Sequence, residues 1–379
     1  MNEGGWGMKW KSVTIGQIAV QDRTVIPPDS LEASARPYLG LEQIESQTGT
    51  ILSYDSDSVE GKSTTFAFDV NHVLYGKLRP YLNKVALPQN SGRCSTEIIP
   101  LLPIDVDREF LAFLLKRDEI VQAAMLDKTG SRMPRADMNA LLAFEVRVPV
   151  SLNHQRLIAA HLKSQLTTLE QARTAAQLQL TELINLANAI IRQSVEHPDT
   201  APAKLGDVLD EVKKGVGKTW AEYPVLGATR AGLALAKDPV GKIPERYKPV
   251  LHGTVFYNPM RIMIGSIAMV DEFDTPGITS PDYVALRGKE GLVDSRWFYY
   301  WLRSPYGVSC IASLARGAVR ERMLFNRLAE GSIELPSYTV QVTAAKALAE
   351  LKPMRSAIEK QLAEINLLPG KILAKAFNS

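Results

Sequence analysis

Between Gln155 and Glu196, apolar residues recur at alternating steps of four and three: Leu162, Leu166, Leu169, then Ala176, Leu180, Leu183, Ala187 and Ile190. That spacing predicts one long amphipathic helix with an a/d seam, broken once by Arg173. At 1.5 Å per residue, such a helix runs roughly 60 Å. A second series follows at an offset of 182: Ala344, Leu348, Leu351, Ile358, Leu362, Ile365, Pro369 and Ile372, with Arg355 in the place of Arg173. Wording repeats too, Gln179-Leu-Thr-Glu-Leu183 beside Gln361-Leu-Ala-Glu-Ile365. A shared register with a shared interruption predicts an internal duplication. Pro369-Gly370 is expected to kink or end the second helix.

The remaining pattern is that of two globular segments. Residues 11–19 read as a short strand, a Gly turn and a helical start, and residues 204–209 open the second half the same way. Residues 30–62 are polar and loop-like, while Phe66, Phe68 and Val70 alternate as a strand does. The stretch from Val73 to Ala86 matches Val255 to Ala268, so Tyr75 and Arg79 fall on Tyr257 and Arg261. Both tyrosines are expected in the core. Cys94-Ser-Thr-Glu97 faces Thr279-Ser-Pro-Asp282, and a helix is expected after Asp107 and after Asp294. Residues 128–135 parallel 315–322, Asn139 maps to Asn326, and Val148-Pro149 maps to Leu335-Pro336.

The expected order is a globular domain over 1–151, a long helix over 152–198, a second globular domain over 199–337 and a second long helix over 338–379. The fold class is α+β: two α/β globular domains and two long helices. A helix of that length cannot hide its seam in its own small domain. The seams are therefore expected to pair antiparallel as a coiled coil about a pseudo-twofold axis, through Leu166, Leu169, Leu180 and Leu183 of the first helix and Leu348, Leu351, Leu362 and Ile365 of the second. Arg173 and Arg355 either lift their guanidinium groups off the seam or pair with a carboxylate across it, and the second option would set the register.

Composition narrows the function classes. The chain has 379 residues, 45% apolar and 22% charged, with a net charge of +3. So small a charge implies no general polyanion binder, and any nucleic-acid surface must come from local clusters of Lys and Arg. Cys94 and Cys310 stand at non-equivalent places and are expected to pack as thiols in a reducing cytosol. Five scattered His and two Cys make no metal-ligand spacing. The first dozen residues lack a basic segment followed by an apolar run, and no window is long and apolar enough to span a bilayer, so a cytoplasmic chain is expected.

Three motifs invite chemistry and none holds. Gly215-Val-Gly-Lys-Thr219 resembles the tail of a phosphate-binding loop, but Val212 stands where the motif needs its first Gly. Tyr257-Asn-Pro-Met260 lacks the second Pro and the aromatic of an amino-methyltransferase tetrapeptide, and its internal partner, Tyr75-Gly-Lys-Leu78, has no such character. Pro28-Asp29 with Glu60-Gly-Lys62 mimics a nuclease motif that the second half does not copy. What remains is basic material in both globular segments. In the first these are Lys77, Arg79, Lys84, Lys128, Arg132 and Arg135, with Arg93 nearby. In the second they are Lys218, Arg230, Arg261, Arg316, Arg320 and Arg322, with Lys213 and Lys214. Such side chains neutralise phosphates and read guanine edges. Ordinary surface charge is the competing reading for each one; the signal lies in the duplication.

With the duplicated unit laid out, the sequence resembles the specificity (S) subunit of Type I restriction-modification systems. The stretches that carry the resemblance are Leu74-Tyr-Gly-Lys-Leu-Arg-Pro-Tyr-Leu82, Val148-Pro-Val-Ser-Leu-Asn-His-Gln-Arg-Leu-Ile-Ala-Ala160, Ile184 to Val195, and Ile365 to Phe377. It covers essentially the whole chain, more loosely in the second copy, where Pro259 replaces Lys77. The resemblance implies two target-recognition domains, each reading half of a bipartite site in double-stranded DNA, and paired helices that set the spacer. It also implies two methyltransferase subunits, which carry S-adenosylmethionine, and restriction subunits that use ATP and Mg. The chain itself would bind no cofactor and catalyse nothing. Two other classes stay open: a coiled-coil adaptor that does not touch DNA, and a self-contained methyltransferase or nuclease.

Overall fold

The computed structural model describes residues 9–28, 30–54, 63–125, 133–315 and 322–377. The chain forms two compact units, residues 1–174 with 363–379, and residues 175–362. The division falls inside both long helices. Each unit therefore owns one globular head and part of each helix, where the sequence suggests four consecutive segments.

In the first unit, strand Trp10–Thr14 pairs antiparallel with Glu145–Pro149. The one-turn helix Ile15–Ile18 buries both its isoleucines and passes the chain to strand Ala19–Gln21. An antiparallel sheet then runs in the order Ala19–Gln21, Ile98–Pro103, Val73–Gly76, Val85–Ala86. The pleat has a period of two, so Val73 and Tyr75 enter the core under the helices while Leu74 enters a second, smaller core. That smaller core lies against a second sheet, Val25–Ile26, Thr65–Phe68, Gly92–Ser95 and Tyr38–Leu39, whose last pair is parallel. Cys94 packs there as a free thiol. The stretch expected as loop contains helix Leu31–Ala35, started by the Ser30 hydroxyl accepting from the Ala33 N–H at 3.1 Å. That cap is a local signal able to nucleate a turn inside polar sequence.

The second unit repeats the frame. Ala201–Lys204 pairs with Ser332–Leu335, the turn Leu205–Val208 follows, and the sheet order is Leu209–Glu211, Val284–Gly288, Val255–Tyr257, Ile267–Met269. Val255 and Tyr257 face the helical core and Phe256 faces the other. The periphery differs. Hairpin Leu226–Thr229/Gly232–Leu235 has no counterpart among the described residues of the first unit; Gly232 closes it at φ 114°.

The long helices are Leu152–Val195 and Tyr338–Phe377. Within the first unit, Ala159 and Leu162 near the start of one share a core with Leu373 and Phe377 at the end of the other. Within the second unit, Ala187, Ile191 and Val195 share a core with Ala344, Ala345, Leu348 and Leu351. All the seam positions are buried or half-buried, while Leu178, Ile184, Leu186 and Leu367, off the seam, are exposed. The second helix runs unbroken through Pro369 and Gly370: a proline removes one N–H and crowds one carbonyl, about 3 kcal/mol, and burial of Ile365, Leu373 and Phe377 offsets it. Gly370 has a packing role, since a Cβ there would sit 3.1 Å from Asp118 Oδ2. Arg173 and Arg355 find carboxylates on their own helices, Glu170 and Glu359, each at 2.8 Å. A partner one turn away needs no second helix to be in place.

One glutamine ties each head to its long helix. Gln155 Oε1 accepts from the Asp107 N–H at 2.7 Å, and its Nε2 donates to Pro149 O at 2.8 Å. Gln341 Oε1 accepts from the Asp294 N–H at 2.9 Å, and its Nε2 donates to Pro336 O at 2.8 Å. Both side chains are fully buried. Asp107 and Asp294 in turn cap the helices Arg108–Leu115 and Ser295–Arg303. This pair sets the offset at the helix starts to 186, not 182; at the ends Ile191 and Leu373, and Val195 and Phe377, keep 182. The interval between anchors is 40 residues in the first helix (155 to 195) and 36 in the second (341 to 377), a difference of about one turn. A four-residue shift returns every second seam position to the seam, which is why the hydrophobic pattern hides it.

Candidate nucleic-acid interface

In the first unit, three backbone segments lie side by side and bring Lys77, Arg79, Glu97 and Arg135 together. The Ala136 N–H donates to Lys77 O at 2.7 Å, the Arg79 N–H to Pro134 O at 2.7 Å, and the Lys77 N–H to Glu97 O at 2.9 Å. Arg135 is clamped by the Glu97 carboxylate: its Nε donates to both oxygens at 3.0 and 3.1 Å, and its Nη2 to Oε1 at 2.9 Å. Lys77 Nζ lies 3.9 Å from the same carboxylate. Arg79 is exposed and, among the described residues, has no ion-pair partner. Its φ of 52° is left-handed, a conformation that costs a side-chain-bearing residue about 1 kcal/mol. The bond to Pro134 O and the Leu82 N–H donated to Arg79 O at 2.9 Å hold it there.

The second unit keeps part of this frame, but the Arg261 N–H donates to Asn258 O at 2.9 Å, within its own turn, and Arg261 has φ −129°. The Met323 N–H donates to Pro259 O at 3.1 Å, in the place of Ala136 and Lys77. Arg322 Nη2 lies 3.1 Å from Asp282 Oδ1, in the place of Arg135 and Glu97. Arg261, the counterpart of Arg79, is exposed and likewise has no ion-pair partner among the described residues. Arg230 is exposed on the extra hairpin, its Nε donating to Ile264 O at 3.0 Å. Lys218 is exposed on the six-residue 3-10 turn Gly217–Glu222. That turn has no α-helix behind it to cradle a phosphate, so the loop-like Gly215–Thr219 motif has no supporting context.

Several candidates are corrected or fall outside. The Lys84 amine donates to Leu41 O at 2.6 Å, and burial pushes its pKa down, so it fastens the sheet edge and is not presented to a ligand. Arg93 is buried, with Nε on Ala33 O at 2.8 Å and its guanidinium over the Tyr38 ring. Lys213 lies 3.7 Å from Glu211. Tyr75 and Tyr257 are core residues, as expected. Asn258 is occupied in a local turn, its Oδ1 accepting from the Met260 N–H at 2.9 Å. Lys128, Arg132, Arg316 and Arg320 lie outside the described residues, as do Asp29 and residues 60–62. A search for cations alone passes over Glu97 and Asp282. Their signal was the alignment of Cys94-Ser-Thr-Glu97 with Thr279-Ser-Pro-Asp282.

Among the described residues, no group of three or more His, Cys, Asp or Glu is placed to hold a metal ion, and no helix is long and apolar enough to cross a membrane.

No family model matches the sequence, and no curated protein matches it. Solved structures do. A chain from a structure on complex assembly and conformational transition of the type I R-M system is 17% identical, with a TM-score of 0.70 over 98% of this chain and 99% of that one. The HsdS subunit from Thermoanaerobacter tengcongensis is 19% identical, with a TM-score of 0.50 over 97% and 96%. The Type-I restriction-modification system S subunit from M. genitalium is 16% identical, with a TM-score of 0.53 over 99% and 98%. The chain shares the fold of these proteins over nearly its whole length.

Proposed function

We propose that this chain is the non-catalytic DNA sequence-recognition subunit of a Type I restriction-modification complex. The observation that carries the reading is the repeated frame, Arg79 with Glu97–Arg135 in one unit and Arg261 with Asp282–Arg322 in the other. Likeness of fold to S subunits over nearly the whole chain supports it. Each head reads one half of a bipartite duplex site. Heads that differ in side chains on related frames read different half-sequences. The two long helices pair antiparallel along their seams and set the unread spacer, with the heads about one helical turn of DNA, roughly 34 Å, apart. Support for that pairing comes from each unit taken alone, where the start of one helix and the end of the other share a core.

The chain binds no cofactor in this reading. Two methyltransferase subunits bring S-adenosylmethionine and flip the target base out of the stack; restriction subunits bring ATP and Mg. The test is footprinting of the assembled complex on a site defined by methylome sequencing. Arg79→Ala and Arg261→Ala should each remove protection from one half-site, a different one in each case, and spare the other. Equal loss at both halves argues against one head per half.

A further inference from the structure

The two arginines of each frame are not electrostatically alike. Arg79 and Arg261 are exposed cations without an ion-pair partner among the described residues. Arg135 and Arg322 stand on an equivalent backbone segment and are each held by a carboxylate from an equivalent strand end. A neutralised arginine gains little from a phosphate, because the carboxylate beside it repels the same oxygens. It retains its donors, however. Glu97 takes Nε and Nη2 of Arg135, and Nη1 has no hydrogen bond among the described residues, on a side chain that is 53% exposed. Two parallel N–H groups on a fixed plane are what O6 and N7 of guanine require.

We propose a duplicated division of labour: Arg79 and Arg261 hold the DNA backbone, whereas Glu97 and Asp282 are positioning residues that aim Arg135 and Arg322 at a guanine edge in their respective half-sites. The frames are not equal in grip. Glu97 clamps two guanidinium nitrogens, and Lys77 adds a second cation beside it; Asp282 contacts one nitrogen, and Pro259 stands where Lys77 would be. Discrimination at the guanine is accordingly sharper in the first head. The inference rests on the DNA-recognition reading above.

The test uses the full chain assembled with its methyltransferase subunits. The wild-type methylome defines the site, and binding to duplexes carrying each base at each position is then measured across a salt series. Replacing the neutral pair by a neutral pair, E97Q/R135Q, should reduce discrimination tenfold or more at one G·C position of one half-site. The salt slope and the other half should not change. D282N/R322Q should do the same, more weakly, in the other half. Arg79→Gln should instead weaken protection of its own half-site whatever the bases there, keep base discrimination and lower the salt slope by about one. The single variant Glu97→Gln should relax the same position, and Glu97→Asp should restore most of it, which a merely structural role would not produce. A double variant that reads its half-site unchanged, or that lowers the salt slope with no loss of base discrimination, overturns the assignment. A wild-type complex with no sequence-specific methylation or binding would sink the recognition reading itself.

Discussion

Lys116 illustrates what burial does to a single charge. Its amine donates to Thr48 O and lies 6.0 Å from the Phe113 ring centre, with no carboxylate among the described residues paired to it. Burial pushes its pKa from near 10.5 down to about 8. The folded protein thus releases this proton before the unfolded chain does, and stability should rise as pH climbs from about 8 towards 10.5. Lys116→Met is expected to raise stability at pH 7 on the order of 1–3 kcal/mol and to flatten that rise. Urea unfolding at pH 7 and 9.5 measures both; a variant as pH-dependent as the parent contradicts the assignment. The same contrast governs the candidate site. Lys84, Arg93 and Arg79 are all cations in sequence, but Lys84 and Arg93 spend donors on carbonyls of their own unit while Arg79 is exposed with no ion-pair partner among the described residues. Residue type states what a side chain can do, and its neighbours decide whether it is available. Glu97 and Asp282 went unread for the same reason: an acid beside a cation has meaning only once the strand end and the loop that carry them are adjacent.

At the scale of elements, the glutamine clamp is the joint between strand, helix cap and long helix. Removing it leaves the Asp107 or Asp294 N–H and a proline carbonyl without their partner. Unsatisfied buried groups cost about 1–3 kcal/mol each, so Gln155→Ala and Gln341→Ala should each destabilise the chain by roughly 2–5 kcal/mol. Denaturant unfolding with unchanged m-value checks the size; a loss below about 1 kcal/mol would show that water replaces the amide without penalty. Most elements were legible beforehand. The 4-3 spacing marked both long helices, the alternation of Phe66 and Phe68 marked a strand, and Asp107 and Asp294 marked helix starts. The helix at Leu31–Ala35 is not legible because five residues are too few to show a helical period, and its cap rests on one hydroxyl. The second helix does not end at Pro369 because backbone propensity is local, whereas Leu373 and Phe377 are anchored by residues more than 200 positions away in sequence.

For the whole molecule, the intervals between anchors differ, 40 residues in one helix and 36 in the other. If paired helices set the spacer, inserting four residues (about one turn) between the anchors of both should lengthen the tolerated spacer and leave both half-sequences as they were. Methylome sequencing of a host carrying the variant reads this directly, and an altered half-sequence would count against separate heads on a ruler. Duplication, helix seams, strand alternation and a nearly neutral overall charge were all decided by the sequence, because each depends on spacing or count along the chain. Other features needed the tertiary structure: which cations are spent inside the protein, which carboxylate grips which arginine, and where the two copies slip by one turn. Those depend on contacts between segments far apart in the chain, and a periodic pattern looks nearly the same after a shift of one turn.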